Sequence, residues 1–176
     1  MPTSMNCGKD EIREYLLTKK CKRVLDIGVG RGTYGILLEK VSYLVGVDVI
    51  DYRGVFEDIN KYYNEYHIGD TRDVTFISGL GYFDLIIMGD VLEHISVEEA
   101  QNCLKQYKEI SDSVLVAVPY EYKQVVETNT YENHVQDDLT HELFINRYEG
   151  FEILNSYNRK GKPFYGYYVW NRQKGV

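Results

Sequence analysis

The sequence predicts a doubly wound α/β domain, in which a mostly parallel sheet with one antiparallel strand is covered by helices on both faces. Two observations carry this. Short apolar runs alternate with helical segments, and each run is too apolar to face water on either side, as expected of strands buried in a parallel sheet. The last two runs flank a turn-rich stretch, Asn158-Arg159-Lys160-Gly161-Lys162-Pro163, so they close as a hairpin-like pair and supply the antiparallel strand. With 176 residues, 44% of them hydrophobic and 27% charged, the chain fits one domain over residues 1–176 with a single substantial core.

The elements follow in order. Residues 1–9 hold Pro2, Ser4 and Gly8 without periodicity and read as a disordered leader. Ile12, Tyr15, Leu16 and Lys19 share helical spacing, which predicts a helix from Asp10 to Lys19. Arg23 to Ile27 is an apolar strand running into glycines, and Tyr34 to Lys40 reads as the helix after that turn. Tyr43 to Val49 and Phe83 to Met88 are further short strands. Val97 to Ile110 is a helix with Ala100, Cys103, Leu104 and Tyr107 on one face, and Ser113 to Val118 is a strand halted by Pro119. A polar loop then leads to a helix over Thr140 to Tyr148, with Leu143, Phe144 and Tyr148 on its apolar side. Phe151 to Tyr157 and Phe164 to Trp170 close the chain as strands.

Composition excludes some partners. The formal net charge is −7 and no lysine or arginine run is present, which argues against binding nucleic acid or an anionic membrane surface and favours a small-molecule or protein acceptor. No apolar run is long enough to span a bilayer. Cys7, Cys21 and Cys103 are odd in number and lack a CxxC pair, and no signal segment opens the sequence, so a reducing cytoplasm is the expected location. The 17 tyrosines cluster at Tyr62-Tyr63-Asn64-Glu65-Tyr66 and Tyr165-Gly166-Tyr167-Tyr168, where ordinary packing explains them and a pocket or interface lining is the alternative.

The first strand and its turn read VLDIGVGRG, residues 24–32. A strand, a glycine-rich turn and a helix place backbone N–H groups and a helix N-terminus beside a ligand on the carboxyl edge of the sheet. Nicotinamide-binding domains use GxGxxG here, but this chain carries Thr33 where the third glycine would stand. Its pattern is DxGxGxG: Asp26, Gly28, Gly30 and Gly32. That pattern resembles the first motif of the class I S-adenosylmethionine (SAM) dependent methyltransferases.

Later segments extend the resemblance in the same order. Asp48 ends the second strand, about 20 residues past Gly28, where a carboxylate can accept both hydrogen bonds of a ribose diol; nicotinamide enzymes share this feature. His67-Ile68-Gly69-Asp70 looks like the third-strand end of these methyltransferases. Phe83-Asp84-Leu85-Ile86 with Val91-Leu92-Glu93-His94-Ile95 is close to the FDLI…VLEHI segment of many small-molecule members, and Gly150-Phe151-Glu152 resembles their GFE stretch. The likeness covers roughly residues 20–157. It implies a Rossmann-like, seven-stranded sheet and a SAM-dependent methyltransferase. It further implies that the glycines curve around the amino-acid end of SAM, with Asp26 orienting the ammonium directly or through water. Asp48 would hold the ribose, Val49 and Ile50 would flank adenine, and Asp70 with Thr71 and Arg72 would meet the ring edge.

The chemistry is expected at the ends of the fourth and fifth strands. Asp90, Glu93 and His94 have spacing that puts them on one face of a helical turn, and His134 comes from the later loop. Asp90 or His94 could then act as general base for a hydroxyl acceptor, with Asp90 also touching the cofactor. Alternatively Asp90, Glu93, His94 and His134 bind a divalent metal, being a permissive ligand set like one that supports metal in some RNA and quinone-pathway O-methyltransferases. A plain capping role for the Glu-His pair remains open. The [DNS]PP[YFW] motif of amide and adenine methyltransferases is missing, since the chain reads Gly89-Asp90-Val91-Leu92. The resemblance implies O-methylation of a small molecule as the leading expectation, with the Tyr120 to Asp138 loop, through Tyr120 and Tyr122, capping the acceptor. A non-catalytic SAM- or nucleotide-binding module is the alternative, and an NAD-dependent oxidoreductase is a third.

Overall fold

The computed structural model of the chain describes residues 8–38, 43–56, 59–126 and 128–173. Most of the expected leader, Cys7, and residues 39 and 40 of the expected second helix lie outside them. The sheet has seven strands: β1 (Arg23–Ile27), β2 (Tyr43–Asp48), β3 (Glu65–Ile68), β4 (Leu85–Gly89), β5 (Ser113–Pro119), β6 (Glu152–Arg159) and β7 (Lys162–Asn171). Their spatial order is β3-β2-β1-β4-β5-β7-β6. All pairings are parallel except those of β7, which runs antiparallel to both β5 and β6. The predicted doubly wound sheet with one antiparallel strand is the observed one.

Alternating side chains of the strands feed two cores. Leu25, Val45, Ile86 and Val114 pack on one face against α4 (Val74–Gly79), α5 (Val97–Glu109) and α6 (His141–Arg147). Val24, Leu44, Leu85 and Leu115 pack on the other against α1 (Lys9–Lys19), α2 (Thr33–Leu37) and α3 (Ile59–Tyr62). β4 and β5 are buried along their whole length, whereas the edge strands β3 and β6 are partly exposed. That gradient explains why the central strands read as continuous apolar runs and β3, with the sequence EYHI, does not.

Helix boundaries follow local caps. Ser96 accepts from the Glu99 N–H while the Glu99 side chain accepts from the Ser96 N–H, a capping box that fixes the start of α5. Thr140 caps α6 through the Leu143 N–H. Helix α1 begins at Lys9, inside the stretch expected to be leader, and the Lys9 ammonium lies over the Tyr34 ring, 4.0 Å from its centroid. Helix α4 has no counterpart among the expected elements. Its short Val-Thr-Phe-Ile sequence lacks helical periodicity, and only Asp73, which accepts from the Phe76 N–H at 2.9 Å, marks its start.

Candidate functional site: two cavities sharing a wall

The carboxyl ends of β1, β2 and β4 open on a cavity of about 340 Å³, as expected for a ligand site at a point where strand order reverses. Gly28, Gly30 and Gly32 all lie at positive φ, at 75°, 52° and 80°. At Gly28 the requirement is double, because an added Cβ would also fall inside the methyl group of Val91. The turn therefore leaves open backbone beside the cavity, and Gly28 and Gly30 line it. Gly32 instead caps α2.

Asp48 stands at the end of β2 and lines the same cavity. One carboxylate oxygen accepts from the Gly30 N–H and the other from the Ile50 N–H, each at 2.9 Å. Each oxygen keeps a second lone pair for a ligand diol. Burial raises the carboxyl above its ordinary range. Val49 and Ile50 line the cavity beside it, as does Tyr52, a wall residue that the sequence did not single out.

On the far side, Asp70, Thr71 and Arg72 complete the wall. The Asp70 carboxylate takes the Arg72 guanidinium at 2.6–3.1 Å, and this pairing holds it below the usual range. Thr71 is anchored from beneath, its Oγ1 and its carbonyl each 2.6 Å from the Tyr107 hydroxyl. Asp26 is placed differently. It is fully buried under the turn, on the sheet face occupied by α3, and is absent from the cavity lining. The Tyr63 hydroxyl donates to its Oδ2 at 2.5 Å, while its Oδ1 has no hydrogen-bond partner among the described residues. Burial pushes the Asp26 carboxyl up to about 7, against the lowering effect of Tyr63.

A second cavity of about 330 Å³ adjoins the first. Asp90, at positive φ (57°) just after β4, turns the chain sharply into a 3₁₀ turn over Leu92–His94. The Tyr165 hydroxyl of β7 holds Asp90 Oδ1 at 2.8 Å. Glu93 and His134 line the second cavity, and Asp90 and His94 line both. Tyr122 also borders the second cavity, but Tyr120 does not; it is buried, with its hydroxyl 2.5 Å from that of Tyr168. Arg31 and Arg159 are further lining residues without an earlier role.

The histidines are fixed by backbone carbonyls. His94 Nδ1 donates to the Asn133 carbonyl at 3.2 Å, and His134 Nδ1 donates to that of Tyr122 at 2.7 Å. In the neutral rings Nε2 then carries the lone pair. Burial lowers both, His94 to about 4. Glu93, only 1% exposed, is pushed well above the carboxylate range by burial and by Asp90. One ligand atom each from Glu93, His94 and His134 lies within 4.8 Å of the others. Asp90 falls outside that group, its Oδ1 being held by Tyr165.

The loop expected to cap only the acceptor does more. Its 3₁₀ turn, Thr130–Glu132, lines the first cavity, and Glu132 lines both. The lone signal in the sequence is Asn129, which caps that turn through the Tyr131 N–H.

Comparison with solved structures places this arrangement. The N-terminal domain of EvdMO1, crystallised with S-adenosylhomocysteine (SAH) bound, superposes with a TM-score of 0.71 at 15% identity, covering 97% of this chain and 83% of that one. The fold is that of the class I methyltransferases. The N-methyltransferase NodS from Bradyrhizobium japonicum, in complex with SAH, shares that fold with a TM-score of 0.67 at 13% identity over 96% of this chain and 89% of its own. A SAM-dependent methyltransferase from Archaeoglobus fulgidus gives 0.67 at 16% identity, over 93% and 92%. No protein-family model and no curated protein sequence matches the chain. Among the described residues, no helix of this methyltransferase fold is long and apolar enough to cross a membrane.

Proposed function

We propose that the protein is a SAM-dependent methyltransferase that methylates a hydroxyl of a small molecule. The observation that carries this reading is the shared wall between the two cavities. One cavity offers a glycine turn, the buried Asp48 and an apolar floor; the other offers neutral imidazoles, and Gly28, Gly30, Asp90, His94 and Glu132 border both. The structural neighbours with bound SAH support the donor assignment.

SAM supplies a methyl carbon activated by an adjoining sulfonium, so the protein has chiefly to align the acceptor and exclude water. The turn and Asp48 hold the donor by its amino-acid and ribose ends. Asp70 to Arg72, with Val49 and Ile50, border the space left for adenine. His94, whose Nδ1 proton is engaged by Asn133, keeps Nε2 available to take the hydroxyl proton as the oxygen–carbon bond forms and the sulfur–carbon bond breaks. Neutral SAH and a proton on His94 are then left behind.

A second reading, divalent-metal assistance, is favoured by the convergence of Glu93, His94 and His134. The donor chemistry fits, since two imidazoles in defined tautomers and a buried carboxylate whose Oε2 lacks a partner among the described residues form a usable set. These three side chains would hold the ion, which would polarise the acceptor hydroxyl.

The deciding experiment is calorimetric titration with SAM, SAH and NAD in parallel, with and without a divalent ion. Micromolar binding of the first two and none of the third is expected; binding of NAD alone would overturn the reading.

A further inference from the structure

Resting on the SAM reading, we propose that Glu132 is the carboxylate by which the site distinguishes the charged methyl donor from its neutral product. SAM carries one more positive charge than SAH, and that charge sits on the sulfur bearing the transferred methyl. The methyl must pass from one cavity to the other, so the sulfonium belongs at the wall they share. That wall is formed by Gly28, Gly30, Asp90, His94 and Glu132. Two of these are glycines, and the carboxylates of the wall are Asp90 and Glu132.

The two carboxylates differ in their surroundings. Asp90 follows β4 and is tied to β7 through the Tyr165 hydroxyl. Glu132 comes from the 3₁₀ turn Thr130–Glu132, whose residues line the first cavity. It is held there by local bonds: Asn129 Nδ2 donates to Glu132 Oε1 at 3.2 Å, the Glu132 N–H donates to the Asn129 carbonyl at 3.1 Å, and Gln124 Nε2 donates to the Glu132 carbonyl at 2.9 Å. The side chain is thus positioned before any ligand arrives. Its field reaches the ribose end of the cavity, where it contributes to raising both Asp48 and Tyr52.

The Glu132 carboxylate attracts the sulfonium of SAM at this wall. Loss of the methyl removes the positive charge and with it that attraction while SAH is still bound. Glu132 therefore favours capture of the donor and release of the product, while the contacts of the adenosine and amino-acid parts are common to both.

The test uses the full chain and calorimetric titration of SAM and SAH against wild type, Glu132→Gln and Glu132→Asp. Glutamine keeps an acceptor oxygen for Asn129 and removes the charge. Glu132→Gln is expected to weaken SAM about tenfold, the loss of one partly screened charge pair, and to leave SAH unchanged. Glu132→Asp restores the preference, and added salt narrows the SAM-to-SAH ratio more in wild type than in Glu132→Gln. Equal weakening of both ligands, or no change in either, overturns the assignment. Wild type binding neither ligand would instead overturn the SAM reading on which it rests.

Discussion

The two cavities are nearly equal in volume and share a wall, yet they are assembled in opposite ways. The first is built mainly from the ends of four adjacent strands, β1, β2, β3 and β4, with the Thr130–Glu132 turn as its contribution from a distant loop. The second is gathered from four separated segments: Arg31 after β1, Asp90 to His94 after β4, Tyr122 to His134 in a long loop, and Arg159 at the end of β6. Strand ends of the sheet place most of the first; the second depends more on loop residues that meet only in the folded chain. Tolerance to substitution should differ accordingly.

The largest expected effect lies in the turn. Gly28→Ala combines a positive φ with overlap onto Val91 and should cost about 2–4 kcal/mol of unfolding free energy in urea denaturation. Gly30→Ala has comparable backbone strain but open space, with only the Gly28 carbonyl oxygen 3.9 Å away, so about 1 kcal/mol is expected. Equal costs at the two positions would show that the close approach to Val91 is unimportant.

Next comes Asp48→Ala. Loss of the ribose contacts proposed for it should weaken SAM and SAH alike by about 1.5–3 kcal/mol, roughly 10- to 150-fold. The equality matters, because it separates a nucleoside contact from the charge discrimination assigned to Glu132.

A smaller effect tests Asp26 as a buried acid. Its folded pKa, about 7, exceeds the ordinary value of 3.8. Its contribution is therefore fully present below about pH 4 and is lost as pH rises through 7. Asp26→Asn should flatten this decline in unfolding free energy between pH 4 and 8. A variant with the same pH slope as wild type would mean that Asp26 is ionised in the folded protein.

The smallest effect concerns the ion. A divalent metal at ten times its Kd should stabilise the protein by about 1.4 kcal/mol in thermal denaturation, and a chelator should reverse this. Glu93→Gln and His134→Ala should each abolish the response. A response that survives both changes would place the ion elsewhere.

Legibility in the sequence follows the same division. The central strands were plain because burial on both faces demands unbroken apolar runs, and DxGxGxG marked the turn because positive φ restricts residue choice. Asp48 and Asp70 could be placed because they follow strand ends directly. The motif implies that Asp26 orients the ligand's ammonium directly or through water, and alternation along β1 puts it on the same face as Val24, where Tyr63 reaches it. Arg31, Arg159 and Glu132 gave no periodic or motif signal, since their meeting depends on loop paths rather than on neighbours in sequence. His134 was singled out for its chemistry, and its seat against Tyr122 and Glu93 came only with the fold.

The insertion of β7 between β5 and β6 has a consequence for biogenesis. A ribosome delivers β6 before the strand that must separate it from β5, so β6 has no sheet partner until β7 emerges. Tyr165, Tyr167 and Tyr168, which fill both cores, arrive with that strand, and Tyr165 is also the residue that holds Asp90. A nascent chain halted before β7 would expose the edge of β5 to other chains and lack the Tyr165 anchor of Asp90. Completion of the sheet and fixing of Asp90 between the two cavities are thus a single late event.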